Sequence, residues 1–151
     1  MNEQGAQLVA SEILAKIVVH SEARTALYPG LVEILGMMEV PRCRLIVSRE
    51  GGVKVYLLQS SSLLIVDVQS EPPGIDVGWV RLAEATLTRR CHDIEGKPNG
   101  IWWKTTWQLT SGSLTEEFVG VEGPRVVDDT EKFARAVARA VGWPLATAGS
   151  T

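Results

Sequence analysis

Long apolar runs are missing from this chain of 151 residues. No segment approaches the roughly 20 consecutive apolar residues that a bilayer-spanning helix needs. Cysteine is nearly absent as well, with only Cys43 and Cys91, so a disulfide framework is not expected. The opening stretch "MNEQGAQLVASEILAKIVVH" has no basic leader and carries Glu3, Glu12 and Lys16 within its apolar pattern. It reads as an amphipathic helix rather than a secretion signal, which makes reduced thiols and a cytoplasmic location the expectation. Positive charge is not in excess either: 15 basic against 18 acidic residues leave a net charge of −3. Affinity for nucleic acid comes largely from neutralised phosphates, so no nucleic-acid partner is expected.

The residues of catalysis are equally sparse. Of two histidines, His20 closes the apolar run "ILAKIVVH", where a cation suits a helix C-terminus. His92 stands in "CHDIEG" beside Cys91, Asp93 and Glu95, but zinc wants three or four ligands at loop-compatible spacing, and no second cluster completes the set. Cys91 and His92 are neighbours and point to opposite faces of a strand, which is the wrong geometry for a nucleophile and its base. Glu116 and Glu117 diverge in the same way and form no acid/base couple. Neither a P-loop nor a GxGxxG fingerprint occurs, so no cofactor and no metal are expected.

What is present is a run of strand-like segments between helical ends. Leu8, Ile13, Ile17 and Val18 recur at near-helical spacing; "SEART" restarts a helix with Ser21 as its cap; "YPG" interrupts it, and "LVEILGMM" supplies one more helical piece before Pro41. From about residue 42 to 122 the elements are separated by turn chemistry. "RCRLIVSREGGVKVYLLQS" is a hairpin around Gly51-Gly52, "SSLLIVDVQS" a third strand after the "SSS" turn, and "SEPPGIDVG" a loop whose prolines exclude a central strand. "WVRLAEATLTRRC", "IWWKTTWQL" and "SLTEEFVGVEG", with Gly120 as a bulge, complete an antiparallel set. In "DDTEKFARAVARAVGWP", Asp128 and Glu131 have capping-box spacing, and Phe133, Val137 and Val141 line one stripe widened by Ala134 and Ala138. Gly142 sits where a left-handed cap is wanted, and Pro144 prevents continuation. The tail "LATAGST" has little to bury and is expected to be flexible.

Three of the five tryptophans fall within six positions, in "GIWWKTTWQLTSGS". Strand alternation places Ile101, Trp103, Thr105, Trp107 and Leu109 on one face, read as core, and Trp102, Lys104, Thr106 and Gln108 on the other. Pairing this strand with 82–91 so that Cys91 faces Ile101 sets Arg89 against Trp103, Leu87 against Thr105, Ala85 against Trp107 and Ala83 against Leu109. On the opposite face Arg90 meets Trp102, Thr88 meets Lys104, Thr86 meets Thr106 and Glu84 meets Gln108. Trp102 is then the one aromatic on a polar face. Three readings are open: a cation–π pair with Arg90, cover by the N-terminal helices, or a partner-binding anchor flanked by Arg90 and Lys104. The first two are the ordinary ways in which a sheet stabilises itself.

Antiparallel strands closed by one amphipathic helix resemble the pleckstrin-homology-like superfold, in particular its bacterial and GRAM-type members. "VYLLQSSSLLIVDV" is similar to the first half of that barrel, "WVRLAEATLTRR" to the approach to its second sheet, and "TEKFARAVARAV" to its closing helix. The resemblance covers about residues 42–143 and implies a binding module with no catalytic role. Lipid-binding members carry a basic motif on the first hairpin, where this chain has Arg44, Arg49 and Lys54 as a candidate anionic-lipid site. Tyr56 stands where the motif ends in Arg, and Glu50 dilutes the charge, so the resemblance implies a protein partner before a phosphoinositide. The family's tryptophan in the closing helix has no match; Trp143 follows Gly142.

The expected architecture is therefore one α+β domain. A helical appendage at 1–41 precedes an antiparallel, partly closed barrel of six to seven strands with a C-terminal helix at 42–143, and a flexible tail occupies 144–151. The expected function is a non-catalytic protein-interaction module whose contact residues are Trp102, Arg90 and Lys104. Two alternatives are a barrel enclosing an apolar ligand against Trp103, Trp107, Leu87 and Phe118, with or without enzyme activity, and recruitment to anionic membrane through Arg44, Arg49 and Lys54. An edge strand left open in such a barrel also allows self-association.

Overall fold

Apolar residues at helical spacing in the first forty positions and at period two thereafter produce helices followed by strands in a computed structural model, which describes residues 1–17, 21–97 and 99–145. His20, Val18 and the tail from 146 onward lie outside the described residues, and so do the expectations that rest on them. The chain divides into two compact units, Met1–Trp79 and Val80–Thr151. The class is α+β, and the described residues form three α-helices and two four-stranded antiparallel sheets, with no closed barrel among them.

In the first unit, α1 (Glu3–Ala15) and α2 (Ser21–Gly36) precede β1 (Cys43–Arg49), β2 (Gly52–Leu58), β3 (Ser62–Ser70) and β4 (Pro73–Arg81), which lie in the order β1-β2-β3-β4. The helices are not an appendage. Ala6, Val9, Ala10, Ile13 and Leu14 of α1 and Leu27, Leu31 and Leu35 of α2 share one core with Val53, Val55 and Leu57 of β2 and Val66 and Val68 of β3. Leu8, expected in that stripe, is 66% exposed instead, because alanines 6 and 10 occupy the buried line.

The break expected at "YPG" does not occur, and Pro29 lies inside α2. An interior proline costs about 3 kcal/mol. Burial of Leu27, Leu31 and Leu35, spaced four apart and all covered, offers about 1.5–3 kcal/mol each. Packing therefore outweighs propensity. The first hairpin turns one residue earlier than its glycines suggest: Arg49 pairs with Gly52, so Glu50 and Gly51 form the turn, and only Gly51 of the two glycines has a positive φ, at 77°. Most of "SEPPGIDVG", expected as loop, joins "WVR" in strand β4, and Pro73 is tolerated because it begins a strand at the edge of the sheet.

In the second unit a short 3-10 turn, Leu82–Glu84, leads into β5 (Thr86–Asp93), β6 (Trp103–Ser111), β7 (Leu114–Gly123), the two-residue β8 (Val126–Val127) and α3 (Asp129–Val141). These strands lie in sequence order. Helix α3 packs on β7 and β5 and buries Phe133, Ala134, Val137 and Ala138. Both of its ends follow the sequence. The Asp128 carboxylate accepts the Glu131 N–H at 2.9 Å, and Gly142 takes a left-handed φ of 117° while Trp143 N–H reaches the Ala138 carbonyl at 2.9 Å. Replacing Asp128 by Ala is expected to remove about 1 kcal/mol of stability, read as a lower urea midpoint with an unchanged slope.

Among the described residues, the expected barrel is thus replaced by two four-stranded sheets. The β5–β6 register also differs: Cys91 faces Thr105 and Leu87 faces Leu109, in place of Ile101 and Thr105. Ala85 consequently ends the 3-10 turn and does not oppose Trp107. The slide is by an even number of residues, so the side chains within β5 and β6 keep their predicted faces. Ile101 and Trp103 stay 60% and 37% exposed, while Thr105, Trp107 and Leu109 are buried.

Candidate functional site

The inner face of the second sheet is organised by a buried acid. Glu131, in the first turn of α3, is fully covered. Its Oε2 accepts from Thr105 Oγ1 at 2.5 Å and from Trp107 Nε1 at 2.6 Å, and its Oε1 accepts from Arg89 Nη2 at 3.1 Å and Arg135 Nε at 3.0 Å. Glu122 closes the ring, bridging Arg89 at 2.9 Å and Arg135 at 2.8 Å. Arg89 also lies 5.1 Å from the Trp107 ring and donates Nη1 to Cys91 Sγ at 2.9 Å. Burial alone would push the Glu131 carboxyl up. Bonds from Thr105, Trp107 and Arg135 and the charge of Arg89 overcome that and hold it below the ordinary value. Burial works against the Arg89 charge too, and its contacts with Glu131 and Glu122 more than compensate.

Sequence spacing assigned Glu131 to a capping box, but the side chain does not turn back to Asp128. Asp128 N–H already donates to the Val121 carbonyl at 3.1 Å, which leaves the carboxylate to face the sheet. Gly120 is no bulge: it pairs regularly with Thr105, and a Cβ there would lie 2.9 Å from the backbone nitrogen of Glu131. The missing side chain is what lets α3 approach. Arg89 on the same face as the alternating Trp103, Thr105 and Trp107, and Arg135 one turn beyond Glu131, were the readable signals for this network. Trp107 meets Trp143 at a tilt, centroids 5.2 Å apart, and Phe118 meets Phe133 edge-on at 5.6 Å, so two residues expected to line a ligand cavity are packed against aromatic rings instead. Trp103, the remaining aromatic of that lining, is 37% exposed.

The outer face has a different character. Register places His92, Lys104 and Val121 in one row, Arg90, Thr106 and Val119 in the next, and Thr88, Gln108 and Glu117 beyond them. Arg90, His92, Lys104, Gln108, Glu117 and Val119 are all exposed. Trp102 extends this face past the start of β6: Ile94 N–H donates to its carbonyl at 2.8 Å, and a Cβ on Gly123 would strike its ring. The indole therefore lies flat over Gly123, half-buried, on the side opposite Trp107. The cation over it is Lys97, 5.6 Å from the ring centroid, and not the expected Arg90, which stands opposite Thr106. The N-terminal helices, also considered as its cover, bury their apolar sides against β2 and β3. Val119 and Val121 were missed by sequence reasoning; their alternation with Phe118 and Gly120 was the available signal.

Sequence reasoning had grouped Arg44, Arg49 and Lys54 as one basic site. The first hairpin separates them. Arg49 and Lys54 are on one face of the sheet, while Arg44 is on the helix-bearing face, where its Nη2 pairs with Glu12 at 2.5 Å. Arg49 is itself paired with Asp67 on β3. These cations are thus divided between faces, and two are already neutralised. Neither cysteine is in a disulfide, and no group of three or more His, Cys, Asp or Glu among the described residues could hold a metal ion. No described helix is long and apolar enough to cross a membrane.

Comparison with protein-family models, with curated proteins and with solved structures finds no match to this chain.

Proposed function

We propose that the chain is a non-catalytic, cytosolic protein-interaction module whose contact surface is the outer face of β5, β6 and β7. One observation carries this reading: an indole is built onto a sheet face that needs none for its own core, since the apolar side chains of α3 cover the opposite face. Trp102 supplies a rigid aromatic surface, Val119 and Val121 extend it, and Arg90 and Lys104 flank it with directional charge. Buried aromatic anchors surrounded by polar rims dominate protein contacts. The pleckstrin-homology-like resemblance, drawn over about residues 42–143, also implies binding without catalysis.

Affinity capture from the source cell with the wild-type chain and with Trp102→Ala, quantified by mass spectrometry, tests the proposal. The expected result is that one protein or a few are depleted at least about tenfold by the substitution, the usual consequence of removing an interface anchor, while the variant keeps its fold. Equal capture by both chains would remove Trp102 from the contact surface.

A further inference from the structure

The charge on the outer face runs against the charge of the chain. Across β5, β6 and β7 that face carries Arg90 and Lys104, with His92 between them in register, against Glu117 as its one acid. The whole chain is at −3. Four arginines elsewhere are matched with acids: Arg44 with Glu12, Arg49 with Asp67, and Arg89 and Arg135 with Glu122 and Glu131. Arg90 and Lys104 make no ion pair among the described residues, although Asp93 and Glu122 are close in sequence or register. Strand alternation sends both of those acids to the inner face, where Asp93 opposes Trp103 and Glu122 binds the two arginines.

We infer that the partner segment is an acidic, partly apolar stretch of polypeptide, docking its carboxylates on Arg90 and Lys104 and its apolar side chains on Trp102, Val119 and Val121. This rests on the interaction-module reading and adds the chemistry of the occupant. Arginine and lysine one row apart meet carboxylates about one extended-strand repeat apart, and the valines and indole lie alongside them on the same surface. Arg90, Lys104 and the Lys97 ammonium over the indole are too few cations to grip a nucleic-acid backbone against a net negative chain. The half-buried indole lies flat over Gly123, a surface that suits a peptide's side chains.

The test is a titration of the full chain, labelled with nitrogen-15, with a short peptide of alternating Glu and Val. Parallel arms use the matching Lys and Val peptide and vesicles of phosphatidylcholine with phosphatidylserine. Expected are amide shifts at Arg90, Lys104, Thr106, Val119 and Val121 and at the Trp102 indole, produced by the acidic peptide alone. Binding should weaken as added salt shortens the Debye length from about 10 Å at 0.1 M toward about 3 Å at 1 M. Arg90→Glu with Lys104→Glu should weaken it at least about tenfold, and unchanged thermal unfolding of that variant shows that it is folded. Equal shifts from the basic peptide, binding to vesicles in preference to peptide, or indifference to the charge reversal would overturn the inference. If the basic peptide binds this same face, the partner chemistry is wrong and the module reading stands. If neither peptide moves the face and Trp102→Ala captures what the wild type captures, both fail.

Discussion

Glu131→Ala should cost about 3–5 kcal/mol of folding free energy, the range for removing one member of a buried ion-pair network. The alanine leaves Thr105 Oγ1 and Trp107 Nε1 without the acceptor they share at 2.5 and 2.6 Å, and it leaves Arg89 and Arg135 to Glu122 alone. Urea unfolding followed by far-ultraviolet circular dichroism would show a large fall in midpoint with the slope retained. Loss of less than about 1 kcal/mol would mean that the carboxylate's desolvation cancels its bonds.

The same residue sets a pH dependence. Because the folded-state pKa of Glu131 is lowered, its ionised form is favoured by folding. The stability it contributes is complete above the unfolded value of about 4.3 and is lost as pH falls below that toward the folded value. Wild-type stability should therefore drop between roughly pH 5 and pH 3, and Glu131→Gln should flatten part of that slope. An identical slope in the two proteins would contradict the assignment.

Gly52→Ala should be the most damaging small substitution in the first unit, at about 3 kcal/mol, the upper end of ordinary overpacking costs. An added Cβ would run into the Val68 carbonyl, and its next neighbour is the Val68 carbonyl carbon at 3.1 Å. The obstacle is the backbone of the paired strand, so no rotamer relieves it; β2 and β3 must move apart where Val53 and Val68 are both buried. Hydrogen exchange at Val53, Val55, Val66 and Val68 would quicken. Gly51→Ala, at a position with open space but a φ of 77°, should cost about 1 kcal/mol, the left-handed penalty for a residue with a Cβ. The order of the two costs is the diagnostic: a turn-centred account of this glycine pair would reverse it.

How much of this was legible depended on whether the information was local. The caps of α3 were readable because Asp128 and Gly142 act within one turn of their own positions. The two faces of the tryptophan strand were readable because alternation is a property of any strand. The register was not, since a slide by an even number of residues leaves both faces intact and the hydrophobic pattern does not distinguish Ile101 from Thr105 as the partner of Cys91. Pro29 misled because its cost is local while the leucine stripe that outweighs it is tertiary. The Glu131 network escaped for a related reason: its donors come from β5, β6 and α3, and the spacing of Asp128 and Glu131 had a sufficient local explanation. The separation of Arg44 from Arg49 and Lys54 follows from parity along β1, but the reading of a basic cluster had counted charges without assigning faces.

The division of labour between the two faces of the second sheet is tested most directly by comparing the unfolding free energies of Trp102→Ala and Trp107→Ala in one denaturant series. Trp107, buried and bonded to Glu131, should cost about 3–5 kcal/mol on truncation. Trp102, lying over Gly123 on the outer face, should cost about 1 kcal/mol, the scale of a cross-strand surface contact. Comparable losses at the two positions would make Trp102 a core residue and remove the outer face as a place built for a partner.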